Sequence, residues 1–190
     1  MSNAELVDWA RSTARNLLAD SLPRRWKHVQ GVAATANRIR KAVGADGEVL
    51  VASAWLHDIG YSPEVKVTGF HPIDGASYLQ TQELTPRLCA LVARHSGAVH
   101  EGALRDLKDA VEGFPDEQTA ARNALWYCDM TSGPDGQALS INDRLDDIRM
   151  RYGTEHLVSR AISAAEEDLR AAVESTEQLM QTHGLVNMRA

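Results

Sequence analysis

Four histidines and two aspartates carry most of the chemical potential of this sequence: His28, His57, Asp58, His71, His95 and Asp129. Imidazole nitrogens and carboxylate oxygens without a sulfur donor suit iron, manganese, zinc or magnesium. His28 shares a helix face with Val32, one turn on, and so faces the core. His57 and Asp58 are consecutive, and neighbours on a regular helix diverge by roughly 100°. Both therefore reach one ion only where a helix is ending, and Gly60 supplies that ending. Asp58 also follows an apolar segment (VLVASAWLH), where an unpaired carboxylate costs on the order of several kcal/mol unless a cation offsets it. His71 stands beside Pro72 at the mouth of a helix. His95 follows Leu88 and Val92 on one apolar face, and Asp129 follows Ala121 and Leu125 on another. A lone inward histidine is more often a hydrogen-bonded core residue, and a lone carboxylate at a helix end is often a cap. Together, with one His-Asp doublet, they point to one or two divalent metal ions.

The elements that must position these groups all read as helices. Leu6, Trp9, Ala10, Thr13, Leu17 and Leu18 recur at helical spacing. Ser21 and Pro23 open a second helix, whose apolar face runs through Val29, Val32, Ala33, Ala36 and Ile39 and which Gly44 closes. A third, from about Glu48 to His57, is apolar on every side and is expected to be the central buried helix. Helices are expected to start at His71-Pro72 and at Thr85-Pro86, the latter stopped by Gly97. The stretch from Gly97 to Pro115 is less regular, with room for a short helix near Leu104. Asp116 is expected to open a helix through Leu125 and Asp129, ended by Ser132-Gly133-Pro134. Helices over Ile141 to Tyr152 and from about Glu155 to His183 complete the chain. With no strand alternation, repeat or low-complexity linker, the expected fold is an all-α, single-domain helical bundle over residues 1–190. Its core would run from about 22 to 132, with C-terminal helices over about 140–184.

The 190 residues, 44% hydrophobic and 24% charged, are an ordinary globular composition. A formal net charge of −6 argues against a protein that works by neutralising nucleic-acid phosphates, so no nucleic-acid partner is expected. No apolar run is long enough to span a bilayer, and the first residues lack a signal-peptide layout, so a cytoplasmic protein is expected. Cys89 and Cys128 form no CxxC pair and sit in apolar helical contexts, as inert thiols do. Neither a Ser-His-Asp motif, a P-loop nor a dinucleotide glycine fingerprint is present. His100, His156 and His183 have surface or ordinary helix settings, and the run DRLDDIRMR (Asp143 to Arg151) reads as a salt-bridged solvent face.

The segments RWKHVQGVAATA, AWLHDIGY, FHPIDGASYL, VARHSGA and WYCDM resemble the HD-domain superfamily of metal-dependent phosphohydrolases. The likeness runs from His28 to Asp129, and the doublet in its LHDIG setting is its most specific part. It implies that His28, His57, Asp58 and Asp129 hold a first metal. As in the family's binuclear members, His71 and His95 would hold a second, with Asp58 bridging. It further implies hydrolysis of a phosphate ester or anhydride by metal-activated water, with Asp58 and His57 at the catalytic centre and a small phosphorylated substrate, such as a nucleotide. Relatives carry Lys after the HDIG motif where Tyr61 stands here. The cations expected to orient the phosphate are Arg25, one turn before His28, and Lys66, Arg94 and Arg144. Two alternatives keep the same ligands: a di-iron oxygenase, and a non-catalytic module that binds metal or nucleotide. A homo-oligomer is compatible with the long final helix.

Overall fold

A computed structural model describes residues 2–185. Among them the structure is helical throughout, with a single isolated bridge between Ser132 and Ala138 in place of any strand. Helix α1 (Asn3–Leu18) is followed by α2 (Pro23–Ile39), with proline in its first turn, where the missing N–H goes unneeded. The chain then tightens into a 3-10 segment, Arg40–Asp46, in which Gly44 takes φ +64°. The glycine thus ends the run where the sequence predicts, although the α-helical part stops at Ile39.

Helix α3 (Gly47–Leu56) lies between two apolar clusters. Leu50, Val51 and Ala54 belong to a cluster shared with Val32, Ala36, Leu125 and Leu169. Ala52 and Leu56 belong to another, with Leu17, Leu18, Val29, Leu79 and Leu88. A helix buried on both sides has no use for a polar face, which is why its sequence is apolar all round. Truncating Leu56, fully buried, to alanine would cost about 2–5 kcal/mol by loss of contact and creation of a cavity.

A 3-10 turn, Ile59–Tyr61, leads to α4 (His71–Thr81), and α5 (Pro86–Ala93) follows, capped by the Thr85 hydroxyl. Beyond a 3-10 turn over His95–Gly97, the irregular stretch resolves into two short helices, α6 (Ala98–Leu104) and α7 (Lys108–Glu112). Helix α8 (Ala120–Met130) is opened by Thr119, whose hydroxyl accepts from the Arg122 amide. Asp116, expected in that role, instead accepts from the Arg122 side chain at 3.0 Å and 3.1 Å. Helices α9 (Ile141–Tyr152) and α10 (Leu157–Thr182) close the bundle. No helix among the described residues is long and apolar enough to cross a membrane.

Candidate metal centre

The six proposed ligands come from five places in the fold, and each is presented by a local backbone device. His28 projects from the middle of α2, and its ring Nδ1 donates to the Gly133 carbonyl at 3.0 Å. That carbonyl belongs to the turn after α8, which lies close because two glycines meet there. A Cβ on Gly31 would fall 2.6 Å from the Gly136 carbonyl oxygen. His57 follows the last residue of α3, and its Nδ1 donates to the Ala54 carbonyl at 2.8 Å. His95, just past α5, repeats the arrangement with the Val92 carbonyl at 2.6 Å. Since a carbonyl only accepts, Nδ1 carries a proton in all three rings, and Nε2, once free of any proton of its own, offers its lone pair inward. That is the tautomer a metal ligand requires.

His71 is the first residue of α4. The preceding loop is held by Asp74, whose carboxylate accepts from the Thr68 amide and hydroxyl and from the Gly69 amide at 2.8–2.9 Å. Gly60 lets this helix approach the doublet: a Cβ there would lie 2.0 Å from the His71 carbonyl oxygen. The His71 ring stacks on Tyr61 at 4.0 Å, and the Arg25 guanidinium lies over the Tyr61 ring, also at 4.0 Å. Tyr61 thus splints a candidate ligand to an arginine.

Asp58 stands at the centre. Its Oδ2 lies 3.3 Å from His57 Nε2 and 3.6 Å from His28 Nε2. Its Oδ1 lies 3.3 Å from His71 Nε2 and 3.9 Å from His95 Nε2. One carboxylate therefore turns one oxygen toward each pair of histidines. Donor atoms of His28, His57 and Asp58 lie within 4.8 Å of one another, as do those of Asp58, His71 and His95. Asp129, on α8, places Oδ1 3.1 Å from His28 Nε2 and 4.0 Å from His57 Nε2. Its Oδ2 accepts a close hydrogen bond from the Ser96 hydroxyl. Ser96 has φ +47°, a conformation that costs a non-glycine residue on the order of 1 kcal/mol and recurs at functional sites.

The electrostatics match. Burial opposes the charge on Asp58, but Arg25, His57 and His71 outweigh it and hold the carboxyl well below its usual range. Asp129 is likewise held down against its burial, by His28, His57 and Arg144. Burial lowers His71 and His95 and, against the pull of Asp129, His28, so these rings are neutral. His57 is the exception: the carboxylates of Asp58 and Asp129 overcome its burial and raise it. Its Nε2 is fully buried and has no hydrogen-bond partner. A buried, orphaned nitrogen in a ring of acceptor lone pairs and carboxylates fits a divalent cation, which serves them all at once. These clusters can hold metal ions.

Of the four cations expected around a phosphate, two reach the cleft. Arg25 donates to Asp58 Oδ2 at 2.7 Å, and Arg144, 6% exposed, places Nη2 3.7 Å from Asp129 Oδ1. The other two are corrections. Arg94 adjoins His95 but turns away, donating to the Phe114 carbonyl at 2.7 Å, because consecutive side chains leave the backbone in different directions. Lys66 is exposed in its loop, which Asp74 holds at the rim, and it lines neither chamber of the cleft. Ser96, Tyr61 and Arg151 contribute beyond the expected set. Arg151, at the end of α9, lines the cleft rather than forming a purely solvent-facing pair with Asp147. His100 faces Asp168 at 3.4 Å, the His183 ring donates to the Leu179 carbonyl at 3.0 Å, and His156 caps α10. Cys89 and Cys128 are free and buried, and burial raises both thiols, as for inert cysteines.

The curated relatives are partial. A tRNA (cytidine(56)-2'-O)-methyltransferase of Picrophilus torridus is 33% identical over 72 residues, 38% of this chain and 20% of that protein. One of the same description from Thermoplasma volcanium is 35% identical over 71 residues, 37% of this chain and 20% of its own. The matched stretch spans about a fifth of those relatives, so the activity in their names is not carried over. No solved structure matches. The match to the HD domain covers residues 25–145, from the arginine beside the first histidine to beyond the last aspartate. With that span and a helical frame converging on paired His/Asp clusters, the chain belongs to the HD domain family.

Proposed function

We propose that the protein is a metal-dependent phosphohydrolase, which cleaves a phosphate ester or anhydride of a small molecule, such as a nucleotide. The observation that carries the reading is the placement of Asp58, with one oxygen toward His28 and His57 and the other toward His71 and His95. His28, His57, Asp58 and Asp129 would hold one divalent ion, and Asp58, His71 and His95 a second. When bound, such ions polarise a phosphoryl group and acidify a water molecule.

The remaining work falls to the chain itself. Arg25 and Arg144 flank the centre from α2 and α9 and supply forked donors that fit phosphoryl oxygens. The Nδ1 bonds to the Gly133, Ala54 and Val92 carbonyls keep the histidine rings from turning. Ser96 holds Asp129 in place from the opposite side. Burial of the ligands among α3, α4 and α8 lowers the local dielectric, which strengthens every charge interaction there.

The test is elemental analysis of protein purified without added metal, followed by assay of phosphate release from a panel of phosphorylated compounds under strict anaerobiosis. Release by the wild-type protein is expected, and Asp58→Ala is expected to lose both bound metal and turnover. Full activity in Asp58→Ala would remove the metal-centred mechanism. Turnover that needs dioxygen would transfer the same ligands to oxygenase chemistry.

A further inference from the structure

Two chambers at the site share part of their lining. The inner recess, about 90 Å³, is lined by Asp58, His71, His95 and Asp129 and has the volume of only a few water molecules. The outer chamber, about 400 Å³, is bounded by Leu22, Pro23, Arg24 and Pro134. Arg25, Tyr61, Arg144 and Arg151 line both and so stand at the boundary between them.

The charges at this boundary do not balance once the carboxylates of the proposed ligand set are committed elsewhere. Arg25 is paired with Asp58, and Arg144 leans on Asp129, but both acids belong to the proposed ligand set. Glu101 also lines the recess but is paired with Arg105 at 2.7 Å, so for the three guanidinium groups of Arg25, Arg144 and Arg151 the remaining acid is Asp147, 3.5 Å from Arg144 and in close contact with Arg151. Arg144 is buried, and its Nε has no hydrogen-bond partner. Arg24 is already matched by Asp135 at 3.3 Å on the exposed rim. A single phosphoryl group at the inner centre engages Arg25 and leaves Arg144 and Arg151 sharing one carboxylate. A second anionic group beside the first supplies what they lack, and the forked arrangement of guanidinium donors suits phosphoryl oxygens.

We infer that the cleft is built for a phosphoanhydride, with one phosphoryl group at the His/Asp centre and the adjacent one on Arg144 and Arg151. The inference rests on the phosphohydrolase reading and narrows its substrate class. Water adds to the inner phosphorus and the bridging P–O bond breaks, its electron pair going to the outer phosphoryl oxygen. The water's proton passes to that oxygen or to solvent, and no co-reactant beyond water is needed. Arg144 and Arg151 then stabilise the charge that develops on the leaving group.

The test is calorimetric titration of the metal-loaded protein, at constant free metal concentration, with phosphate and with methylenediphosphonate, whose P–C–P link does not hydrolyse. Methylenediphosphonate is expected to bind at least about tenfold more tightly, the order of one charge-assisted pair. Arg151→Gln, a change at the exposed end of a helix, is expected to erase most of that advantage while moving phosphate affinity less than about threefold. Equal affinity for the two anions, or an advantage that survives Arg151→Gln, would overturn the phosphoanhydride assignment but leave the phosphohydrolase reading standing. Phosphonoacetate binding as tightly as methylenediphosphonate would give the outer site to a carboxylate and overturn the assignment as well. If metal-loaded protein binds neither phosphate nor methylenediphosphonate, the phosphohydrolase reading fails, and this inference fails with it.

Discussion

At the scale of single residues, the two oxygens of Asp58 divide the site into two parts that substitutions can separate. His71 faces only Oδ1, whereas His57 faces Oδ2. His71→Ala is therefore expected to lower the metal content from two ions per chain toward one, as read by elemental analysis, and an unchanged count would leave a mononuclear site. Acid should also unload the centre. His57 is raised above the usual histidine range by Asp58 and Asp129, so in metal-free protein it holds a proton that an incoming cation must displace. Affinity is then fullest above the raised value and weakens as pH falls through it, by up to about tenfold per pH unit for one displaced proton. Calorimetry in buffers of different ionisation enthalpy measures the proton release; no release near neutral pH would contradict the raised histidine. The convergence of these six side chains was legible in the sequence because buried carboxylates and inward imidazoles stand out on apolar stripes. Arg94 and Lys66 were not, since proximity in sequence says little about which way a side chain turns. Ser96 carries a recognisable signal only in hindsight, as the small polar residue between His95 and Gly97. Arg151 reaches the cleft only because α9 docks beside it, which no local pattern encodes.

At the scale of elements, proline at a helix start was the clearest guide: Pro23, Pro72 and Pro86 each lie in the first turn of a helix. Carboxylate caps were less telling, because Asp116 finds Arg122 as a partner while Thr119 takes the cap. The approach of α2 to the turn after α8 also lies outside local pattern, since it depends on two glycines 105 residues apart in sequence. It can be tested directly. Gly31→Ala would place its methyl 2.6 Å from the Gly136 carbonyl oxygen, and both partners are backbone that cannot swing aside. The expected loss is about 1–3 kcal/mol of stability by denaturant unfolding, together with weaker metal binding as the Gly133 carbonyl withdraws from His28. Wild-type behaviour in both would show that the contact yields easily.

At the scale of the whole molecule, the centre concentrates ionised groups in the interior of a bundle whose surroundings are apolar, an arrangement that is costly without compensation. Arg25 and Arg144 offset part of that cost, and a cation offsets more. Metal is thus expected to stabilise the whole fold. At a hundredfold excess over Kd the gain is about 2.7 kcal/mol, or on the order of 5–10 °C in Tm for a chain of this size. Differential scanning fluorimetry before and after chelation reads it, and a Tm indifferent to chelator would argue that the ions contribute nothing to folding.

The left-handed step at Gly97 reaches further than its three-residue turn. A Cβ there would sit 2.6 Å from the Ala165 methyl of α10, so the backbone bearing His95 and Ser96 lies directly against that helix. Val158, Ala161 and Ile162 of the same helix wall the inner recess. Yet α10 begins at Leu157, past the last family-matched residue at 145, and donates no ligand. A fragment trimmed to the matched span would keep all six candidate ligands and lose the buttress behind His95. In this protein the C-terminal helix is working architecture of the centre, and its sequence is under the same demand for fit as the histidines themselves.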